Sequence, residues 1–437
     1  MDRRQVLAAG AAGLASSAVG AGGAQAAEAG SAQAAGAGAA HATAAAAVPA
    51  AVTDDRSAAV IRELGGALDA SPTLLDRGIG WTHTRFLIED GGVPYAVDVV
   101  ADTAQPPRSV AYLLPGGGLN FLAGFFTPRD RNLAHHLRRL GHLVVGVTPR
   151  EDLSTAAEVS ADRGLAAHRA DALRVIGAVD AALRLPYQLI GHSAGAALAL
   201  DLAGTMGGGG RGRRLERVVA LDTTGPYEGE PALRAAQARD AYRALIEQGA
   251  YANDPGLKGI LARALSDPGG TSPVPRPVDP ATRFTHAGLA HYALIRTNTL
   301  PGPANWIYRQ GHAAGTYTFG ATPAEDRFTL AHSPLPVWGE ATASLGSGLI
   351  AHALLRDLCA IWAGDEATYR IAWERIRAEV VWVNMELGRG DFPLGAELIR
   401  RGGNRHVTFQ VVPGYGHGDP VWGEQAHAEV WPLLTPK

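Results

Sequence analysis

From about residue 80 the chain alternates short apolar runs with longer stretches that carry one apolar stripe. Two β-rich runs, residues 84–90 and 93–102, flank Asp90-Gly91-Gly92, which predicts a hairpin. Residues 109–114 form an apolar run that stops at Pro115-Gly116-Gly117-Gly118, the pattern of a buried strand feeding a tight loop. Residues 143–147, 187–190 and 217–221 read as further buried strands. Between them lie helical patterns. Leu133, Leu137 and Leu140 recur at helical spacing, with Thr127 as the expected cap, Pro128 as the expected first residue and Gly141 as the stop. A longer helix is expected over 162–185, with Ala172, Ile176, Val179 and Leu183 on its apolar face and Pro186 ending it.

The rhythm breaks between about 226 and 375. Helical pieces around 232–248 give way to Pro-rich turns at 268–280, then to Trp306, Tyr308, Tyr317, Phe319 and Trp338. The βα pattern resumes with a strand at 380–383, a helix near 394–401 and a strand at 406–412. Successive βα units imply a parallel sheet covered on both faces. The expected class is α/β, a doubly wound, mostly parallel sheet carrying a largely helical cap. On this reading residues 56–225 and 378–437 are the two parts of the core, and 226–377 is a cap or lid insertion beside the site.

The first residues follow neither pattern. Arg3 and Arg4 precede a moderately apolar stretch that ends in Ala24-Gln25-Ala26, a small-x-small cleavage pattern. Residues 1–26 are therefore expected to be a twin-arginine-type export signal, which places the mature protein in the periplasm or outside a bacterial cell. Residues 27–55 are nearly all Ala, Gly, Ser and Thr, lack large apolar side chains, and are expected to be a tail with nothing to pack.

Charge and cysteine content narrow the partners. A net charge of -3 offers no footprint for nucleic acid, and no stable membrane anchor is expected once the signal is removed. Cys359 is the single cysteine, so an intramolecular disulfide and a multi-cysteine metal site are excluded, and a buried inert thiol is expected. His286, His291, His312 and His332 show no metal-ligand spacing, and neither a metal nor a cofactor is expected.

The chemistry concentrates at Gly191-His192-Ser193-Ala194-Gly195, which fits G-x-S-x-G between an apolar strand and a helix. Such a turn lifts a hydroxyl clear of the sheet, and glycines on both sides remove Cβ atoms that would collide. Ser193 is the expected nucleophile. It needs a base, and His417, in a Gly-flanked loop after the last strand, is placed to be one. His192, beside the nucleophile, is expected to support the turn or line the pocket. The loop after residues 380–383 offers two carboxylates to orient the base. Asp391, which precedes Phe392-Pro393 and a helix, is preferred, and Glu386 is the alternative. Asp222 is ranked below both, and Asp419 is set aside as too close to His417 along the chain. The backbone N–H groups of Gly117, Gly118 and Ala194 are the expected oxyanion donors.

Taken together, these residues resemble the α/β-hydrolase superfamily over roughly residues 80–225 and 378–432, in the chain order nucleophile, acid, histidine. The Gly116–Leu119 stretch looks like the GGGX loop of some esterases and lipases, with Pro115 where histidine is often found. The resemblance implies a secreted bacterial esterase- or lipase-like enzyme that cleaves a carboxylic ester through an acyl-enzyme. Its substrate is expected to be a small-molecule ester, with an apolar acyl or aryl group suggested by the aromatic residues of the insertion. Acyl transfer on the same residues, or a catalytically silent binding protein of the same fold, are the competing expectations.

Overall fold

The computed structural model describes residues 56–89, 92–207 and 209–435. The expected export signal, the Ala/Gly-rich tail and the Asp90-Gly91 part of the hairpin turn lie outside the described residues. Among the described residues no helix is long and apolar enough to cross a membrane.

Nine strands form one sheet: β1 (Pro72–Gly78), β2 (Trp81–Ile88), β3 (Tyr95–Asp102), β4 (Ser109–Leu114), β5 (His142–Thr148), β6 (Tyr187–His192), β7 (Leu215–Leu221), β8 (Glu379–Met385) and β9 (Val407–Val412). Their spatial order is β1-β2-β3-β5-β4-β6-β7-β8-β9. Pairings up to β3–β5 are antiparallel, and every pairing from β5–β4 to β8–β9 is parallel. The expected hairpin is the β2–β3 pair, in register from Trp81–Asp102 to Ile88–Tyr95.

Strand residues alternate between two cores, as side chains of period two must in a sheet covered on both faces. Tyr112, Leu189, Val218, Ala220 and Trp382 join one cluster, while Leu113, Ile190, Val219, Leu221 and Val383 join the other. The first core holds α1 (Arg56–Leu68), α3 (Leu165–Leu183) and α4 (Ala194–Met206), and the second holds α2 (Leu133–Arg139) and the C-terminal turn around Trp431. The stripe expected on α3 is the buried one, with Ala172, Ile176 and Val179 in the first core.

Two helix starts differ from expectation. α2 begins at Leu133 rather than Pro128, because Asn132 caps it: its side chain accepts from the His135 N–H at 2.9 Å. The same amide donates to the carbonyl oxygens of Pro128 and Arg129, folding 127–131 into a turn ahead of the helix. α3 begins at Leu165, where the Asp357 carboxylate accepts from the first free N–H.

The segment between β7 and β8 carries α5 (Glu230–Glu247), α6 (Leu257–Ser266), α7 (His286–Ile295), α8 (Leu335–Ala343) and α9 (His352–Ala363). It also holds three two-stranded ribbons. The Pro-rich stretch expected to be turns is one of them, Thr271–Arg276 against Asp279–Thr285. Proline is tolerated there because each strand has a free edge that needs no donor. The helix expected near 394–401 is α10 (Leu394–Arg401).

Asn132 is fully buried, and each side of its amide is bonded. Asn132→Ala is expected to cost about 2 kcal/mol by orphaning the helix start and two turn carbonyls. A lower urea midpoint with an unchanged m-value would register that loss, whereas an unchanged midpoint would remove the cap from the account.

Candidate active site

The elbow after β6 is built by excluded volume. A Cβ on Gly191 would stand 2.0 Å from the Gly195 oxygen, and one on Gly195 would stand 1.9 Å from the Leu114 oxygen. Only glycine lets the strand turn this sharply into α4 beside β4. Ser193 itself sits at φ 57°, a region that side chains with a Cβ rarely adopt, and its N–H is tied to the Leu221 oxygen at 2.9 Å. Both neighbours of Ser193 are buried while Ser193 is partly exposed, so the turn presents the hydroxyl to a cavity.

That cavity has a volume of about 230 Å³. Ser193, His417, Gly117, Gly118 and Ala194 all line it. The β4 loop closes with the Leu119 N–H on the Gly116 oxygen, and Gly118 takes φ 74° in that turn. Among the described residues no backbone carbonyl accepts from Gly117 or Gly118. Ala194 is the first residue of α4, whose N–H has no partner within the helix. These three amides are therefore free to receive a ligand oxygen.

His417 is held from several directions. Its N–H donates to the Gly311 oxygen, and Gly418 donates to the His312 oxygen. Asp419, fully buried, accepts from the Ala314 and Gly416 N–H groups and from the Ser333 hydroxyl, so it fastens the histidine loop to the insertion. His192 Nε2 donates to the His417 carbonyl oxygen at 2.8 Å, which gives this neighbour of Ser193 a supporting role. A Cβ on Gly416 or Gly418 would collide at 2.5 Å with Ala313 or with Trp338 and Trp422, which accounts for the two glycines around the histidine.

The carboxylate beside His417 is Asp222. His417 Nδ1 and Asp222 Oδ2 are 2.5 Å apart. Asp222 follows β7 directly, at φ 48°, and is fully buried. Its other oxygen accepts from the N–H groups of Met385 at 2.7 Å and Arg389 at 3.1 Å. With Nδ1–H donating to Asp222, Nε2 is the basic nitrogen.

The structure brings neither Asp391 nor Glu386 to His417, which corrects the preferred carboxylate and its alternative. Asp391 is exposed, and Glu386 is exposed with its carboxylate on the Gly414 N–H. The physical reason lies at Gly388. A Cβ there would stand 2.2 Å from Asp222 Oδ2, so the loop after β8 contributes room and backbone donors while the end of β7 contributes the carboxylate that meets His417. The side chain that this loop does send into the cavity is Arg389, a residue no sequence motif singled out.

Burial pushes the Asp222 carboxyl up, against the pull of Arg389 and the two backbone donors. The same burial, with Arg389, His192 and His312 adding to it, pulls the His417 imidazole well below its usual range. His312 is brought down to about 3, mainly by burial, so it too stands neutral beside His417. Cys359 is buried, and burial raises its thiol. The burial expected of this thiol is what the structure has.

Strand order, elbow and loop order together define an α/β-hydrolase fold. The thioesterase-domain family profile matches residues 131–279, about a third of the chain. No curated protein matches it in sequence. Among solved structures, a putative lipase from Sulfolobus solfataricus is similar with a TM-score of 0.54 at 15% identity, covering 83% of this chain and 94% of that one. A thioesterase domain from the curacin biosynthetic pathway gives 0.41 at 16% identity, over 80% of this chain and 98% of that one.

The pair has a spectroscopic signature. The Nδ1 proton of His417 is expected far downfield in the proton spectrum, retained in Asp391→Asn and Glu386→Gln and displaced in Asp222→Asn. Retention of the unshifted signal in Asp222→Asn would show that another group holds the imidazole.

Proposed function

We propose that the protein is a serine hydrolase acting on a carboxylic ester or thioester through an acyl-enzyme, with Ser193 as nucleophile, His417 as base and Asp222 as the orienting acid. The observation that carries this reading is the 2.5 Å contact between His417 and Asp222 at the cavity that holds the Ser193 elbow. The partial match to a thioesterase-domain profile supports the same chemical class.

Ser193 Oγ attacks the acyl carbon as its proton passes to His417 Nε2. The carbonyl electron pair moves onto oxygen, where the N–H groups of Ala194 and of Gly117 or Gly118 receive it. Collapse breaks the bond to the leaving alcohol or thiol, which takes the proton from the imidazolium. Water then attacks the acyl-enzyme, gives its proton to Nε2 and releases the acid, and that proton returns to Ser193. Asp222 stays ionised throughout and stabilises the imidazolium formed in each half. The insertion between β7 and β8 acts as the cap, since Trp338, Ile350 and Trp362 wall the cavity. Export by residues 1–26 belongs to this proposal, and its readout is the mature N-terminus in the extracellular or periplasmic fraction.

A fluorophosphonate is expected to label wild-type protein and to leave Ser193→Ala unlabelled. Asp222→Asn should lower kcat on a p-nitrophenyl ester by about 10⁴-fold. Asp391→Asn and Glu386→Gln should stay within about threefold of wild type. Equal losses in Asp222→Asn and Asp391→Asn would remove Asp222 from the mechanism.

The pH profile follows from the buried imidazole. Activity requires neutral Nε2, and burial with the nearby Arg389 charge disfavours protonation more than the Asp222 carboxylate at 2.5 Å favours it. The acid limb of kcat/KM for a neutral ester is therefore expected below pH 6.5, the ordinary histidine value. A limb above that value would contradict the electrostatic account.

A further inference from the structure

The cavity contains a cation with no counter-ion at contact distance. Arg389 is only 4% exposed and lines the cavity alongside Ser193 and His417. Its Nε and Nη1 have no hydrogen-bond partner, and among the described residues no carboxylate lies within salt-bridge distance of it. Asp222 is committed to His417 and to two backbone N–H groups. Two aromatic faces hold the guanidinium in place, Tyr308 at 4.6 Å and Trp362 at 5.3 Å from ring centre to the guanidinium carbon. Tyr308 also hydrogen-bonds the guanidinium, and the Asp222 carboxylate acts on it from beyond contact distance. Nε and Nη1 nevertheless stay open, and donors left open in a cavity are satisfied by what enters it.

The surrounding donors have the same bias. Trp338 and Trp362 line the cavity with buried indole N–H groups that find no acceptor. Among the described residues the one carboxylate along the wall, Asp254, is exposed and accepts from the Gly256 N–H. The wall is mostly apolar, with hydroxyls and imidazoles from Tyr242, Tyr308, Thr342 and His312, and its open polar groups include the Arg389 donors and the two indole N–H groups. An apolar ester alone would leave Arg389 and two indole groups unsatisfied. A planar carboxylate matches the guanidinium fork and can accept from a neighbouring indole.

We propose that Arg389 is a specificity residue that seats a free carboxylate of the substrate, so that the preferred substrate is a small ester or thioester with an acid group near the scissile bond. This rests on the serine-hydrolase reading for the scissile bond and on the geometry of Arg389 for the acid. It adds an acid group to the expected apolar acyl or aryl substrate: the walls are mostly apolar, and the charged end is Arg389. The carboxylate can belong to the acyl part or to the leaving alcohol, and the chemistry of recognition is the same.

Two isosteric pairs separate these cases. Ethyl hydrogen succinate and ethyl 4-methylpentanoate differ by a carboxylate on the acyl side. 3-Acetoxypropanoate and isopentyl acetate differ by a carboxylate on the alcohol side. Wild-type protein is expected to prefer the acidic member of at least one pair by about 30-fold or more in kcat/KM, mostly through KM. Arg389→Gln should erase that ratio, and Arg389→Lys should restore part of it. Equal kcat/KM within both pairs in wild type would overturn the proposal, even if no Arg389 variant folds. So would an Arg389→Gln loss that is the same for acidic and neutral members, the outcome of a merely structural role.

Calorimetry on Ser193→Ala with the intact acidic esters keeps the two readings apart. Binding that disappears in Ser193→Ala/Arg389→Gln supports the carboxylate seat whether or not wild type turns over. Hydrolysis of neutral esters with no such binding leaves the hydrolase reading standing and the seat refuted.

Discussion

A carboxyl group and an imidazole share a place from which water has been removed, and the surrounding structure exists to make that tolerable. Asp222 and His417 touch at 2.5 Å with almost no exposure of either. Burial alone favours neutral forms of both groups, so a carboxylate persists there only with donors aimed at it. Met385 and Arg389 supply two from the backbone, and the imidazole supplies a third. Gly388 leaves the space in which the carboxylate lies. The loop after β8, which looks like the home of an acid, is the acid's receptor.

The same constraint explains how the insertion is bound to the sheet. It is anchored at the loops that carry His417 and the glycine turn after β4. Gly311 and His312 receive the N–H groups of His417 and Gly418, and Asp419 clasps Ala314 and Ser333. On the other side Asp152 accepts from Gly346 and Gly348, while Asn120 reaches the Ser344 oxygen, so the strap over the glycine loop is fastened to the core. Ile350, just beyond that strap, occupies the space beside Gly118 that a Cβ would need. Covering the cavity and positioning the histidine are one set of bonds.

Arg389 links the electrostatics of the Asp222–His417 pair to those of the cavity. Its backbone N–H helps hold Asp222, and its charge lowers both His417 and His312. Its side chain lies between Tyr308 and Trp362, and two of its nitrogens lack acceptors. A low-dielectric wall makes such a charge far more selective than one in water, because an ill-matched ligand leaves it desolvated and alone.

Local signals carried the fold and half of the site. Short apolar runs marked the strands β4 to β9, as a sheet covered on both faces requires, and helical spacing marked the stripe on α3. Gly191 and Gly195 marked the elbow, since only a missing Cβ permits that turn, and the glycines around His417 marked its loop for the same reason. The carboxylate was not legible in this way. Asp391 and Glu386 follow a strand much as Asp222 does, and nothing local distinguishes an exposed loop acid from one turned inward at a positive φ. Nor does any motif announce Arg389. Which carboxylate meets the imidazole, and which cation is left facing the cavity, depends on how β7, β8 and the insertion pack against one another. Burial and pairing belong to the assembled neighbourhood, and only the tertiary structure contains it.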